Sequence, residues 1–284
     1  MYVYLNGHLV PDKAATVSVF DRGFAYGDSL IETLKILHGQ PVFFKDHFNR
    51  LCRAMEQAGF EAKLDGGTLR NHAVSLAEAN LVADGRLRLQ LSRGVPESPG
   101  GFDPGGRLTP TLLITAEQFS GYPEEEYQKG TLCVTVAANR GRYAGIKSAS
   151  LLPTIIARRE AVEAGATEVI FTGGHGGLIE GSFTNIFFLC SGSLLTAGED
   201  QPVLAGVVRE KVIGIASEMG IEVKLRAPKI GDLRSDEDAA FLTSSLLGVC
   251  PVREIDNLKL RVDRELIPRI AARLYEQELD DVAQ

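Results

Sequence analysis

No stretch of this sequence approaches the roughly 18 consecutive apolar residues with which a helix crosses a bilayer. The opening residues, Met1-Tyr-Val-Tyr-Leu-Asn-Gly-His8, carry neither the basic nor the apolar region of a secretory signal. A basic block is missing too. With 30 Lys and Arg against 37 Asp and Glu the formal charge is -7, so neither a nucleic acid nor an anionic membrane is expected as partner. Cysteine is sparse, and Cys52, Cys133, Cys190 and Cys250 stand singly, without metal-ligand spacing. The five histidines form no close pair, so no metal site is expected. These absences point to a cytoplasmic protein whose cysteines are reduced and serve as small core residues.

What is present is ordinary globular composition. Hydrophobic residues make up 44% and charged residues 24% of 284, enough for about two domains, each with its own core. The chain opens with a hairpin turning at Asn6-Gly7. Ser18 to Asp28 forms a glycine-bearing loop dense in polar groups (Asp21, Arg22, Tyr26, Asp28) that leads to a strand over Leu30 to Leu37 carrying Glu32. Those groups read either as an ion-pair network ordering the loop or as the rim of a site. Asp46 is positioned to cap a helix ending at Gly59, with Phe48, Leu51, Cys52 and Met55 on its apolar face. Taken from this pattern alone, Arg50 is a solvated surface arginine. A second helix covers Thr68 to Leu81. Arg86-Leu-Arg-Leu-Gln-Leu-Ser92 alternates, which marks a half-buried strand with Arg86, Arg88, Gln90 and Ser92 on one face. That face is either the wet side of a sheet or the floor of an anion-binding cavity. Val95 to Arg107, rich in Gly and Pro, reads as a loop able to cover a site.

Residues 119–128 are polar and carry chain breakers, so they are expected as a linker between a smaller domain, 1–118, and a larger one, 129–284. In the larger domain Lys147 lies between loop glycines and a helix that begins near Leu151, with Ser150 as its cap, Pro153 in its first turn and Gly165 at its end. Two readings are open: a solvated loop lysine, or an amine held against packed backbone and made nucleophilic by burial. Gly173-Gly-His-Gly-Gly177 fits a hairpin turn rather than a phosphate loop, and leaves His175 solvated. Glu180 then falls between an apolar strand and a small-residue turn, where a buried carboxylate requires a cationic or protonated partner. Gly206 opens a helix whose free N-terminal amides favour an anion. Asp263 caps the last helix.

Ile146-Lys147-Ser148 with its helix, followed about thirty residues later by Glu180-Gly-Ser-x-x-Asn185, resembles the class IV (fold type IV) pyridoxal-phosphate-dependent enzymes. This family holds branched-chain and D-amino acid aminotransferases and aminodeoxychorismate lyase. Asp21-Arg-Gly-Phe-Ala-Tyr-Gly-Asp28, His47-Phe-Asn-Arg-Leu51, Leu204-Ala-Gly-Val-Val-Arg209 and Phe241-Leu-Thr-Ser-Ser-Leu-Leu-Gly-Val-Cys-Pro-Val252 agree with it in family order.

The resemblance implies a two-domain α/β fold with pyridoxal 5′-phosphate in the interdomain cleft, and a homodimer. It implies that Lys147 forms a Schiff base with the cofactor and moves the substrate proton, while Glu180 accepts the ring N–H. Arg50, the Val207 and Val208 amides after Gly206, Ser244 and Ser245 would hold the phosphate, Leu204 would pack on the ring, and Arg88 would take the substrate carboxylate. Ile31 stands where an aromatic residue is common beside the substrate. The function implied is amino transfer between an amino acid, of branched-chain or D type, and a 2-oxo acid. Two alternatives accompany it: aminodeoxychorismate lyase, yielding 4-aminobenzoate and pyruvate, and a cofactor-binding protein without turnover. Leu152 replaces the tyrosine that branched-chain enzymes carry five positions after the lysine.

Overall fold

The computed structural model of the chain describes residues 1–97, 102, 108–137 and 141–283. Two compact units emerge. The first comprises Met1–Ser120, Ile146–Leu151 and Leu279–Gln284, the second Gly121–Gly145 and Leu152–Glu278. Most of the loop expected over Val95 to Arg107 lies outside the described residues, as does Arg140.

The first unit is built on a six-stranded antiparallel sheet in the order His8–Pro11, Tyr2–Leu5, Leu108–Gln118, Gly85–Pro96, Ser29–Leu37, Gln40–Pro41. Asn6 and Gly7 take φ of 49° and 95° in the opening hairpin, a backbone that Asn and Gly tolerate best. Period-2 alternation in Gly85–Pro96 sends Leu87, Leu89 and Leu91 into the core and Arg86, Arg88 and Gln90 to the other face. The strand bulges between Ser92 and Val95, where Gly94 has φ +96° and any Cβ would lie 1.7 Å from the Thr109 carbonyl oxygen. Helices Phe44–Ala58 and Gly66–Ala79 lay Leu51, Ala54, Met55, Leu69, Ala73 and Leu76 against Leu34, Leu87, Leu91 and Ile114. Each such leucine contributes about 1.5–3 kcal/mol by leaving water.

Nine strands form the sheet of the second unit. Thr131–Ala137 runs parallel to Glu168–Thr172 and to Gly248–Ile255, and the helix Leu152–Glu163 between the first two packs Ala157 and Ala161 on Val169 and Phe171. Leu178–Gly181, Asn185–Cys190 and Ala239–Ser244 follow as antiparallel neighbours. Ile186, Phe188, Leu242, Val252 and Ile255 fill the core on one face of this sheet. Phe187 and Phe241, opposite each other on the other face, stack with centroids 5.0 Å apart.

Several local expectations need correction. Asp46 lies inside the first turn of its helix. The N-cap position belongs to Phe43, at φ 52°, whose N–H donates to Asp281 Oδ2 at 2.6 Å. Ser150 does not cap the helix after Lys147, because its hydroxyl donates to the Gly27 carbonyl at 3.1 Å. The expected linker contains the helix Glu124–Lys129, and Tyr127 within it donates to the Leu247 carbonyl at 2.9 Å. Residues 146–151 and 279–283 pack in the first unit, so the second is not one continuous run from 129. Cys133 and Cys250 are buried as expected, but Cys52 is exposed. No helix among the described residues is long and apolar enough to cross a membrane.

Candidate active site

In the first unit, strand Ser29–Leu37 pairs with Gly85–Pro96 along one edge, while Gln40–Pro41 covers only Ile36 and Leu37 on the other. The lysine segment meets the start of that edge, over Ser29 to Ile31. Ile31 N–H donates to the Lys147 carbonyl at 2.9 Å, Ala149 N–H donates to the Ser29 carbonyl at 2.9 Å, and Leu30 bridges Ser148. Backbone pairing therefore fixes where Lys147 stands, although no periodic pattern in the sequence marks this segment for pairing. Gly27, at φ +70°, lets Ser150 approach so closely that an added Cβ would lie 2.8 Å from its hydroxyl.

Glu32 on the same strand is buried and central to an ionic cluster. His47 and Arg50, three apart on one helix face, both reach it. Arg50 donates from Nε to Oε1 at 2.9 Å and from Nη2 to Oε2 at 2.6 Å, and His47 Nδ1 lies 2.7 Å from Oε2. Burial alone would raise the Glu32 carboxyl. The Arg50 charge and the hydrogen bonds from Arg50 and His47 outweigh it and bring the pKa down to about 2. For His47 burial dominates and lowers the pKa, opposed by Glu32 and reinforced by the charges of Arg50 and Lys147. Arg50 is thus buried, unlike the solvated arginine its helical pattern alone suggests. The polar loop before this strand is an ion-pair network. Asp28 takes Arg22 and Arg93, each at 2.8 Å, and Asp21 accepts from Ser92 and Thr111.

Arg88 differs from its neighbours. Arg86 pairs with Glu117, and Gln90 donates to Ser29. Half-buried Arg88, opposite Thr33 and Thr115, makes no hydrogen bond or ion pair with any described residue. Burial and the charge of Arg86 lower its pKa.

In the second unit, Glu180, Asn185 and Thr243 stand opposite one another across three antiparallel strands, so their side chains share a face. Glu180 Oε2 accepts from Leu204 N–H at 3.1 Å and from Asn185 Nδ2 at 3.4 Å, and Asn185 Nδ2 also donates to the Leu204 carbonyl at 2.9 Å. The Leu204 loop is tied to Glu180 in this way. Gly206 follows as N-cap of helix Val207–Glu218, with no side chain among the described residues capping it, so the first-turn N–H groups retain donor capacity. A Cβ at Gly206 would sit 2.0 Å from Asn185 Oδ1. Ser244 ends its strand in a turn, its hydroxyl accepting from Leu247 N–H at 3.2 Å, with Ser245 next in the chain.

Two features of this unit escape sequence reasoning. Thr243 Oγ1 is buried with no hydrogen-bond partner among the described residues, and only strand register, not spacing, aligns it with Asn185. Glu168 is fully buried beside the turn that follows Glu180, and in the sequence it looks like an ordinary strand-initial glutamate.

A sequence comparison places these halves in context. Residues 29–255 match the pattern of amino-transferase class IV, most of the chain, so the protein belongs to the class IV aminotransferase family. This is a pyridoxal 5′-phosphate-dependent enzyme family, and its members use that cofactor. Among similar proteins, a D-alanine aminotransferase of Bacillus licheniformis is 30% identical over 258 residues, covering 90% of this chain and 89% of its own. The crystal structure of a branched-chain aminotransferase from Thermoproteus uzoniensis, solved with norvaline, is 26% identical with a TM-score of 0.88, covering 99% of this chain and 95% of that one. The crystal structure of 4-amino-4-deoxychorismate lyase from Pseudomonas aeruginosa is 28% identical with a TM-score of 0.82, covering 99% and 100%.

Proposed function

We propose that the protein is an aminotransferase that exchanges an amino group between a branched-chain or D-amino acid and a 2-oxo acid. The observation that carries this reading is Arg88, a half-buried guanidinium with no anionic partner among the described residues. Leaving such a charge unmatched is costly unless a ligand carboxylate occupies it, and the planar fork suits a carboxylate.

Pyridoxal 5′-phosphate, when bound, supplies the electron sink and the amino-group carrier that no side chain provides. The residues present fit it. Glu180 is a buried carboxylate braced by the Leu204 N–H and Asn185 Nδ2, suited to accept the ring N–H and keep that nitrogen protonated. The uncapped amides of Val207 and Val208, with Ser244 and Ser245, would donate to the phosphate, and the family resemblance adds Arg50 to them. Gly206 keeps backbone low where a Cβ would collide, and Leu204 offers an apolar side chain to the ring face. Lys147 would anchor the cofactor aldehyde covalently. Lys147 Nζ would also serve as the base that takes and returns the substrate α-carbon proton, which requires a neutral amine. Ile31 would flank the substrate. Borohydride reduction followed by peptide mass spectrometry should find the cofactor on Lys147. A native mass, or an adduct elsewhere, would overturn the assignment.

Leu152, in place of tyrosine, and the likeness to the Pseudomonas aeruginosa lyase favour a second reading, release of pyruvate and 4-aminobenzoate from aminodeoxychorismate. Single amino acids without any oxo acid should convert the cofactor to its amine form if the first reading holds. Pyruvate release without that conversion would favour the lyase, and no response to any amine donor would mean binding without turnover. A homodimer is also proposed. Phe20 and Phe24 in the first unit, and Leu152 and Ile155 in the second, expose large apolar side chains that a second copy would cover. Sedimentation at a monomeric mass would count against it.

A further inference from the structure

The buried carboxylate of Glu168 takes no direct part in the chemistry above, yet it gathers donors from one short segment. Glu168 Oε1 accepts from Ser182 N–H at 3.2 Å and Ser182 Oγ at 2.5 Å, and Oε2 accepts from Thr184 Oγ1 at 3.2 Å. Its own strand and the preceding helix complete the set, with Val169 N–H at 2.9 Å and Arg158 Nη1 at 3.2 Å, both on Oε1. Ser182 and Thr184 belong to the turn that joins Glu180 to Asn185. That turn closes on a hydrogen bond from Gly181 N–H to the Thr184 carbonyl at 2.7 Å. Arg158, besides pairing with Glu168, lies over the ring of Phe183 at 4.5 Å, and Phe183 stacks on Tyr122. A Cβ on Gly181 would come within 2.1 Å of Thr184 Oγ1 and 3.0 Å of Glu168 Oε2, so the turn is packed directly on the carboxylate.

We propose that Glu168 is a positioning residue for Glu180, holding the Gly181–Thr184 turn so that Glu180 and Asn185 keep their places on adjacent strands. Serine and threonine side chains in a four-residue turn have several rotamers and competing local backbone partners. A carboxylate that engages both of them, and the Ser182 amide, selects one arrangement. Its charge is matched by Arg158, so burial is tolerated. An amide at position 168 has one acceptor oxygen where the carboxylate has two, and it leaves Arg158 without a counter-charge. The turn would then hold Asn185 less firmly, and Asn185 is a donor that aims Glu180 Oε2.

This proposal rests on the reading of Glu180 as the acceptor for the cofactor ring N–H, and the test separates the two. Holoenzyme carrying cofactor labelled with 15N in the ring is examined by NMR, because the ring-nitrogen shift reports its protonation, which a loss of overall stability does not move. Glu180→Gln should shift the resonance strongly, and Glu168→Gln should shift it part-way in the same direction. The Glu168→Gln variant should lose about tenfold to a hundredfold in kcat with KM changed less than about twofold. In the Glu180→Gln background it should lose nothing further. Should Glu168→Gln fail to fold, Thr184→Val, which keeps the carboxylate and deletes one donor, should give a smaller shift of the same sign. A resonance moved by Glu180→Gln but untouched by both other variants would overturn the role of Glu168 alone. A resonance untouched by Glu180→Gln would overturn the reading of Glu180 and the Glu168 proposal with it.

Discussion

Replacing Glu32 by glutamine tests the electrostatics of the first unit. Glu32 is 2% exposed and holds Arg50 through two hydrogen bonds and His47 through a third contact. Its carboxyl falls from the ordinary 4.5 to about 2 despite burial, so the folded state binds its proton less readily than the unfolded state does. Stability from this group is therefore fully present above pH 4.5 and is lost as pH falls toward 2. The shift corresponds to about 3 kcal/mol near pH 5 and about 1.4 kcal/mol at pH 3. Glutamine keeps the shape but not the charge. It leaves the buried Arg50 guanidinium without its carboxylate, a change that costs about 3–5 kcal/mol in buried pairs. Urea unfolding of the cofactor-free protein should show Glu32→Gln less stable by about 3 kcal/mol at pH 5, with the gap narrowing by about 2 kcal/mol at pH 3. Equal stability at pH 5, or a gap that does not narrow in acid, would refute the ion-pair account.

Two further substitutions probe the second unit and the C-terminal helix. Gly206→Ala would push a methyl to 2.0 Å from Asn185 Oδ1, forcing Asn185 from Leu204 and Glu180. Overpacking of this kind costs about 1–3 kcal/mol, and cofactor titration should show weakened binding; unchanged melting and affinity would refute the close approach. Asp263 Oδ1 accepts from the N–H groups of Glu265, Leu266 and Ile267, the last two opening helix Leu266–Val282. Burial opposes its ionisation, but these amides and Arg261 hold the carboxyl below its usual value. Asp263→Ala should cost about 1 kcal/mol at neutral pH, and the loss should fade as pH drops below the ordinary 3.8. A pH-independent difference in urea midpoints would count against the cap.

Elements whose signal is local were legible in the sequence. The Asn6-Gly7 turn, the helix opened at Gly206 and the cap at Asp263 each depend on neighbours a few residues away. Glu168–Thr172 likewise shows its apolar run directly. The caps misassigned to Asp46 and Ser150 had the right residue type, but distant partners decided them: Asp281 takes the amide of Phe43, and the Gly27 carbonyl takes the hydroxyl of Ser150. Cys52 shows the same limit, since helical spacing did not fix how wide the buried stripe would be.

By itself, the sequence pointed to the family and its cofactor, because Arg50, Lys147 and Glu180-Gly-Ser-x-x-Asn185 stand in the family's order. Tertiary structure alone decided how those residues are held. The Lys147 segment is held in place only because an edge of Ser29–Leu37 stands open to an isolated bridge with it. Arg50 is held in its buried place by Glu32, eighteen residues earlier, which accepts from its Nε and Nη2. Glu180, Asn185 and Thr243 align only through strand register, and Glu168 reaches their turn from another strand. Hydrogen bonds and ion pairs depend on distance in space, and a linear sequence records that distance only where the partners are also neighbours along the chain.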